Sequence, residues 1–364
     1  MKRMTCKLIV AGAVLSRLAA SQYTISDIGT VGGSTNIPLA LNDRGQVAGS
    51  STTTGDAAIH AFLAQADSKD SDGQYKKHNV LDLGTLGGSS SGASAINAQG
   101  YVVGSSLNGD GRSHAFLFDG RLRDLGALGG TASSALGLND KNEIVGYAST
   151  AGDSAVHAFV HDCTRMHDLG TLGGTNSIAT AINNRGEIAG KSDTATANSA
   201  HAFVYTNGRM CDIGTLGGAN SSAVAINSRG DVVGSADTAT SGISHAFLLS
   251  EGKLIDLGTL GGNNSAAFGL NSRGEIVGRS QTTVTTHAFL FAGCRLTDLN
   301  TLIPADSGWI LREALAINNA GEIVGIGEFQ GQIRAFLLSP NGKPENSKDS
   351  PSCPQSDKRK GDSK

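Results

Sequence analysis

The sequence predicts an all-β fold, a seven-bladed β-propeller of four-stranded antiparallel blades, and three observations carry that prediction. An aspartate followed by a glycine-rich stretch recurs at Asp27, Asp82, Asp124, Asp168, Asp212, Asp256 and Asp298, with separations of 55, 42, 44, 44, 44 and 42 residues. A His-Ala-Phe triplet begins at His60, His114, His157, His201, His245 and His287, with a seventh copy that reads Arg-Ala-Phe from Arg334. An apolar residue followed by Asn and a turn recurs at Asn42, Asn97, Asn139, Asn183, Asn227, Asn271 and Asn318. A fixed period of this length marks a repeat architecture in which each unit is one supersecondary element. The long first interval has a local cause, an 11-residue insertion at Asp67 to Lys77.

Within a unit the pattern is strands. In the fourth copy, Ser177–Asn183, Gly186–Ser192, His201–Tyr205 and Arg209–Gly214 are short runs separated by turn residues. Gly186, three after Asn183, suits a turn closed by a left-handed residue, and Asn207-Gly208 is a two-residue hairpin signal. Each unit therefore reads as a four-stranded meander that cannot bury both faces alone, and seven of them close most simply as a propeller. The first strand is built from small residues such as Ala179 and Ala181, read here as crowding around a central axis. Seven of the 11 phenylalanines fill the single triplet slot and are expected to be the main filler between blades. The chain opens with a lone fourth strand (Tyr23–Gly29) and ends on a third strand with no fourth after it (Arg334–Leu338), so pairing the two would complete blade seven and remove the open edge. An open solenoid is the competing architecture; it wants caps at both ends, and none is visible.

The ends read differently. Lys2, Arg3 and Lys7 around an apolar Leu8–Leu15, followed by Leu18-Ala19-Ala20-Ser21, predict a signal peptide over residues 1–21, too short to span a bilayer. The propeller is assigned to 22–340, and the polar stretch 341–364 to a disordered tail. These features predict a secreted or envelope protein. A net charge of −3, with basic residues clustered only at Lys358-Arg359-Lys360, argues against nucleic acid as a partner. The five cysteines show no metal-type spacing.

The markers resemble the bacterial extracellular repeats named for their His-Ala-Phe signature, in which DLGTLGG, AIN-x-x-G-x-[IV]-VG and HAF recur at this spacing. The likeness covers roughly Tyr23 to Leu338, and Leu299–Gly325 is similar to that family's variant last repeat. It departs at Arg334 and at Val31. The resemblance implies an exported protein of undefined biochemical activity and supplies no catalytic residues.

DLGTLGG occurs too often and lies between strands, so it is read as a crossing between blades and not as a phosphate cradle. Gly186–Ser192 has only three residues between its glycines, unlike a P-loop, and Gly88–Gly92 lacks the strand-turn-helix setting of a nucleophile elbow. Asp70 and Asp72 in the insertion lack the glutamate of a calcium loop, with Asn79 at that position. The six histidines lie on the third strand, too far apart for one metal, and are expected to bond the Asp of the same hairpin or backbone. The loops between second and third strands are rich in Ser, Thr and Asp and emerge on one face. Asp56, Asp110, Asp153, Asp193 and Asp237 on those loops are the candidate ligand-binding residues. The expected role is a non-catalytic binding or scaffolding module with no cofactor or metal, its partner a glycan or an envelope protein. The alternative is a propeller lyase or hydrolase acting on a glycan, for which Arg312 and Glu313 are the residues that break the repeat.

Overall fold

The computed structural model describes residues 21–66 and 78–342. These residues form seven four-stranded antiparallel sheets arranged in a ring, a seven-bladed β-propeller. Blade four is typical: an inner strand Gly173–Ile182, a second strand Ile188–Thr194, a third Ala200–Thr206 carrying the triplet, and an outer strand Arg209–Asp212. Blade seven uses Trp309–Ile317, Ile323–Phe329 and Gln332–Pro340, and takes Tyr23–Asp27 as its outer strand. The register runs from Tyr23 opposite Pro340 to Asp27 opposite Phe336, so the two ends of the domain close the ring as the sequence predicts. Asn341 donates from its backbone to the Gln22 carbonyl at 2.8 Å and from its amide to the Ser21 carbonyl at 2.9 Å. The insertion at 67–77, most of the signal segment and most of the tail lie outside the described residues.

Turn chemistry fixes the meander. Asn207 and Gly208 both take positive φ, 52° and 75°, the pairing that gives a hairpin turn the right-handed twist of its flanking strands.

The seven triplet phenylalanines are fully buried, each at one interface between blades. Phe116 of blade two packs with Ala61 of blade one, and Phe62 of blade one packs with Ala335 of blade seven. The closing interface is therefore built like the others. Opposite each ring, the second strand carries a glycine that sterics require: a Cβ on Gly190 would lie 2.1 Å from the Ile178 carbonyl oxygen and 2.7 Å from the Phe203 ring. The inner strand carries a register shift in every blade, at Ala179/Ala181 in blade four, which brings its carbonyl over that glycine.

Ala179 and its counterparts are wholly buried in the clusters between blades, and neighbouring inner strands approach closely, a Cβ on Gly137 lying 3.1 Å from Ala181 Cα. The paired glycines of DLGTLGG are more than a crossing, because in most blades they begin the inner strand. A Cβ on Gly174 would sit 2.5 Å from that of Asp193 on the neighbouring strand.

Candidate functional site

Hydrogen bonds between blades lock the ring at two levels. The triplet Ala donates its N–H to a serine on the next blade's inner strand, as Ala158 does to Ser177 at 2.8 Å, and that serine donates to the Gly170 carbonyl at 2.6 Å. At the closing interface Asn36 takes the serine's place, accepting from Ala335 at 3.2 Å. The second level is a complete circle. The side-chain amide of each turn asparagine donates to the backbone carbonyl of the next: Asn42 to Asn97 at 3.0 Å, Asn97 to Asn139 at 3.3 Å, Asn139 to Asn183 at 3.1 Å, Asn183 to Asn227 at 3.0 Å. Asn227 donates to Asn271 at 3.2 Å, Asn271 to Asn318 at 3.1 Å, and Asn318 back to Asn42 at 3.1 Å. Sequence reasoning took these asparagines only as turn markers. Their invariance across seven units was the available signal, since a turn alone tolerates Asp or Ser.

The histidines are structural too. His60, His114, His157, His201, His245 and His287 each place Nδ1 2.6 to 2.8 Å from a carboxylate oxygen of the Asp ending the same blade's outer strand. In blades one to five that Asp also accepts the N–H of the glycine two residues on, as Asp82 does from Gly84 at 2.8 Å, where Gly84 takes φ 72°; in blade six Asp298 accepts from Asn300 at 2.9 Å. In blade seven Arg334 replaces the histidine and reaches Asp27 at 3.5 Å, so this departure from the triplet still ties the third strand to the closing strand. Among the described residues no group of three or more His, Cys, Asp or Glu is arranged to hold a metal ion.

The five candidate aspartates sit on five different blades, and only three are on the loops expected of them: Asp56, Asp110 and Asp153 follow the second strand, whereas Asp193 and Asp237 lie within it, one residue before the ends of Ile188–Thr194 and Val232–Thr238. Most of their carboxylates are already used. Asp56 accepts from the Ser34 N–H at 2.8 Å, and Asp153 from the Thr131 N–H at 2.7 Å and its hydroxyl at 3.0 Å. Hydrogen bonds from Thr52 and Ser34 hold the Asp56 carboxyl below its ordinary range, and those from Thr131 do the same for Asp153. Asp193 binds the N–H and side-chain amide of Asn176 at 3.0 and 2.9 Å, and Asp237 accepts from the Asn220 amide at 2.9 Å. Asp110 alone is exposed with its carboxylate unengaged. Asp56 and Asp153 therefore tie their loops to the start of the same blade's inner strand, and Asp193 and Asp237 tie the end of the second strand to it.

What this face offers a ligand is hydroxyl and amide groups. A pocket of about 320 Å³ opens between blades four and five, lined by Thr175, Asp193, Thr196, Asn198, Ser199 and Asn220 among others. Asn198 stands at φ 59°, and Ser199 donates to the Ala219 carbonyl of the next blade at 3.0 Å.

The residues that break the repeat are held in separate ion pairs. Arg312 binds Glu328 at 3.0 Å and the Thr285 hydroxyl at 2.9 Å, whereas Glu313 binds Arg279 of blade six at 2.6 Å. Gly88–Gly92 lies inside an inner strand, Gly87–Ile96, with Ser91 bonded to the Gly84 carbonyl. No described helix is long and apolar enough to cross a membrane.

No protein-family model matches the chain, and no curated protein does. Solved structures do. The β-propeller domain of the Trilobed protease from Pyrococcus furiosus, described as having an open velcro topology, is 8% identical with a TM-score of 0.51, over 85% of this chain and 96% of that one. A puromycin hydrolase is 12% identical with a TM-score of 0.51, over 84% of this chain and 54% of that one. TolB from Acinetobacter baumannii is 14% identical with a TM-score of 0.46, over 82% of this chain and 64% of that one. The chain thus spans about half the length of the hydrolase and less than two thirds of TolB. At such identities the likeness is one of fold: this chain is similar to solved β-propellers.

Proposed function

We propose that this protein is an exported, non-catalytic propeller of the His-Ala-Phe repeat type that binds a polar ligand, a glycan or an envelope protein, on its loop face. The observation that supports this reading is the pinning of those loops by Asp56 and Asp153, with Asp193 and Asp237 anchoring the strand ends from which the loops of blades four and five leave. Loops held in one conformation lose little entropy when a ligand docks, so modest polar contacts suffice for binding. The hydroxyl and amide lining between blades four and five suits a polyhydroxylated or main-chain partner. Export rests on the signal-like first 21 residues and on the family resemblance. Against the enzyme alternative, Arg312 and Glu313 are each engaged in separate ion pairs.

The test is a glycan array and an envelope-extract pull-down with the purified protein, repeated with Thr196→Ala, Asn198→Ala and Ser199→Ala combined. A ligand captured by the parent and lost by the triple variant at unchanged melting temperature supports the reading. Capture that the triple variant retains in full would place the binding surface elsewhere.

A further inference from the structure

Blade four differs from its sisters at the pocket on the loop face. The residue two before each triplet histidine is Ala58, Arg112, Ala155, Ser199, Ile243 or Thr285, so blade four alone places a serine there. Residues two apart where an extended strand begins project to the same side, which brings the Ser199 hydroxyl beside the His201 ring. Ser199 Oγ lies 3.2 Å from His201 Nε2, and His201 Nδ1 lies 2.7 Å from Asp212 Oδ2. His201 thus keeps the aspartate bond of its sister histidines and adds a hydroxyl on its other nitrogen. Among the described residues the other five triplet histidines carry no side-chain partner on Nε2. In blade six the Thr285 hydroxyl accepts from Arg312 at 2.9 Å instead.

The proton positions follow from the partners. A carboxylate only accepts, so the neutral ring carries its hydrogen on Nδ1 and leaves a lone pair on Nε2, to which the serine hydroxyl donates. The same hydroxyl lies 3.0 Å from the Ala219 carbonyl oxygen, and its one hydrogen turns between the two acceptors. The loop holds Oγ in place: the Ser199 N–H donates to the Thr196 carbonyl at 3.2 Å, and the Ser199 carbonyl accepts from Thr194 at 2.9 Å. Ser199 lines the pocket together with Thr196, Asn198 and Asn220, so a reactant that enters meets the hydroxyl with the imidazole beside it. A hydroxyl bonded to a base, and a base oriented by a carboxylate, is the arrangement that makes a serine nucleophilic.

We infer that Ser199 is a site of covalent acylation, taking the acyl group of a carboxylic ester that enters this pocket. Oγ attacks the ester carbonyl while His201 Nε2 takes the hydroxyl proton. The bond from Oγ to the acyl carbon forms, the bond from that carbon to the alcohol oxygen breaks, and the alcohol leaves with the proton from Nε2. Asp212 positions the ring and offsets the charge it carries in between. The proposal goes beyond the loop-face reading, which needs no reaction. Binding of a glycan or a protein does not depend on a reactive serine, and reaction with a small ester does not depend on that ligand, so either can fail alone.

The experiment treats the full protein with a fluorophosphonate, which reports an activated serine through an irreversible bond from Oγ to phosphorus, and locates the label by mass spectrometry. p-Nitrophenyl acetate supplies an ester, read by release of p-nitrophenolate. Label is expected on Ser199 and on no other serine, and both reactions are lost in Ser199→Ala. Alanine already stands at that position in blades one and three, so the variant folds. His201→Gln slows both about a hundredfold, the lower end of what a general base contributes. His157→Gln is the control: it removes the same structural bond, to Asp168 at 2.7 Å, from a blade with alanine at the serine position, and leaves both rates unchanged. An unlabelled Ser199, label spread over other serines, ester cleavage retained in Ser199→Ala, or equal loss in His201→Gln and His157→Gln would each overturn the proposal.

Discussion

Replacing Asn318 with alanine tests ring closure through energy. Its Oδ1 accepts the N–H groups of Ala320 at 3.0 Å and Glu322 at 2.9 Å; its amide donates to the Glu322 carboxylate at 2.8 Å and, across the closing interface, to the Asn42 carbonyl at 3.1 Å. Asn183, in the middle of the chain, makes the same four bonds: from Arg185 at 2.9 Å and Glu187 at 3.1 Å, and to Glu187 at 2.6 Å and Asn227 at 3.0 Å. At about 1 kcal/mol net per bond, each Asn→Ala change costs about 4 kcal/mol. In a closed ring the two costs agree within about 0.5 kcal/mol. In an open array Asn318 would lack its partner on blade one and cost about 1 kcal/mol less. Urea unfolding, followed by circular dichroism and by the fluorescence of the single tryptophan, Trp309, resolves that difference at constant slope. A reproducibly smaller cost at Asn318 would refute the closed circle.

Other consequences follow from the same contacts. Gly190→Ala forces a methyl against the Ile178 carbonyl and the Phe203 ring, and should destabilise by about 3 kcal/mol, whereas Gly208→Ala, with open space around its Cβ position, should cost less despite its positive φ; thermal melts compare them. Phe203→Ala empties a fully buried interface and should cost about 3–5 kcal/mol in the same assay. Burial pushes the Asp231 carboxyl up, but hydrogen bonds from Ser250, Asn227 and Arg229 outweigh it and hold the group below its ordinary 3.8. Its contribution is therefore present above about pH 4 and lost as pH falls further, so Asp231→Asn should flatten the acid limb of the stability curve. Burial pushes the Tyr23 hydroxyl from 10.0 up to about 12, so the closing strand keeps this contribution below pH 10 and loses it as pH rises through about 12. Hydrogen exchange at residues 24–27 should then accelerate before the rest of the fold, and Tyr23→Phe should abolish that early loosening.

Much of this architecture was legible because one unit is written seven times. The markers gave blade number, strand order and the closing strand, and the Phe slot gave the interfaces, since a large ring at a fixed position in every unit has nowhere to go but the contact between blades. The histidine partner was only narrowed, to the Asp of the same hairpin or to backbone; the structure gives the Asp, as between His201 and Asp212. What the sequence hid was direction. Ala179 and Lys191 lie on adjacent strands of one blade, yet the first is wholly buried in a cluster between blades and the second is exposed. The register shift in each inner strand changes which side chains face inward, and no spacing in the sequence announces it. The candidate aspartates were hidden for a different reason: an acidic residue in a Thr-rich loop looks the same whether its carboxylate awaits a ligand or, like that of Asp153, already holds a backbone N–H.

The closed ring itself is tested most directly by cross-linking its two ends. Thr24 stands opposite Ser339 on the paired strands, and the Thr24 hydroxyl donates to the Ser339 carbonyl at 3.2 Å. With the exposed thiols Cys163 and Cys211 changed to serine, Thr24→Cys/Ser339→Cys should form an intramolecular disulfide under mild oxidation, mapped by mass spectrometry, and raise the melting temperature. A monomer in which those cysteines stay reduced, or join only between molecules, would contradict the closed propeller.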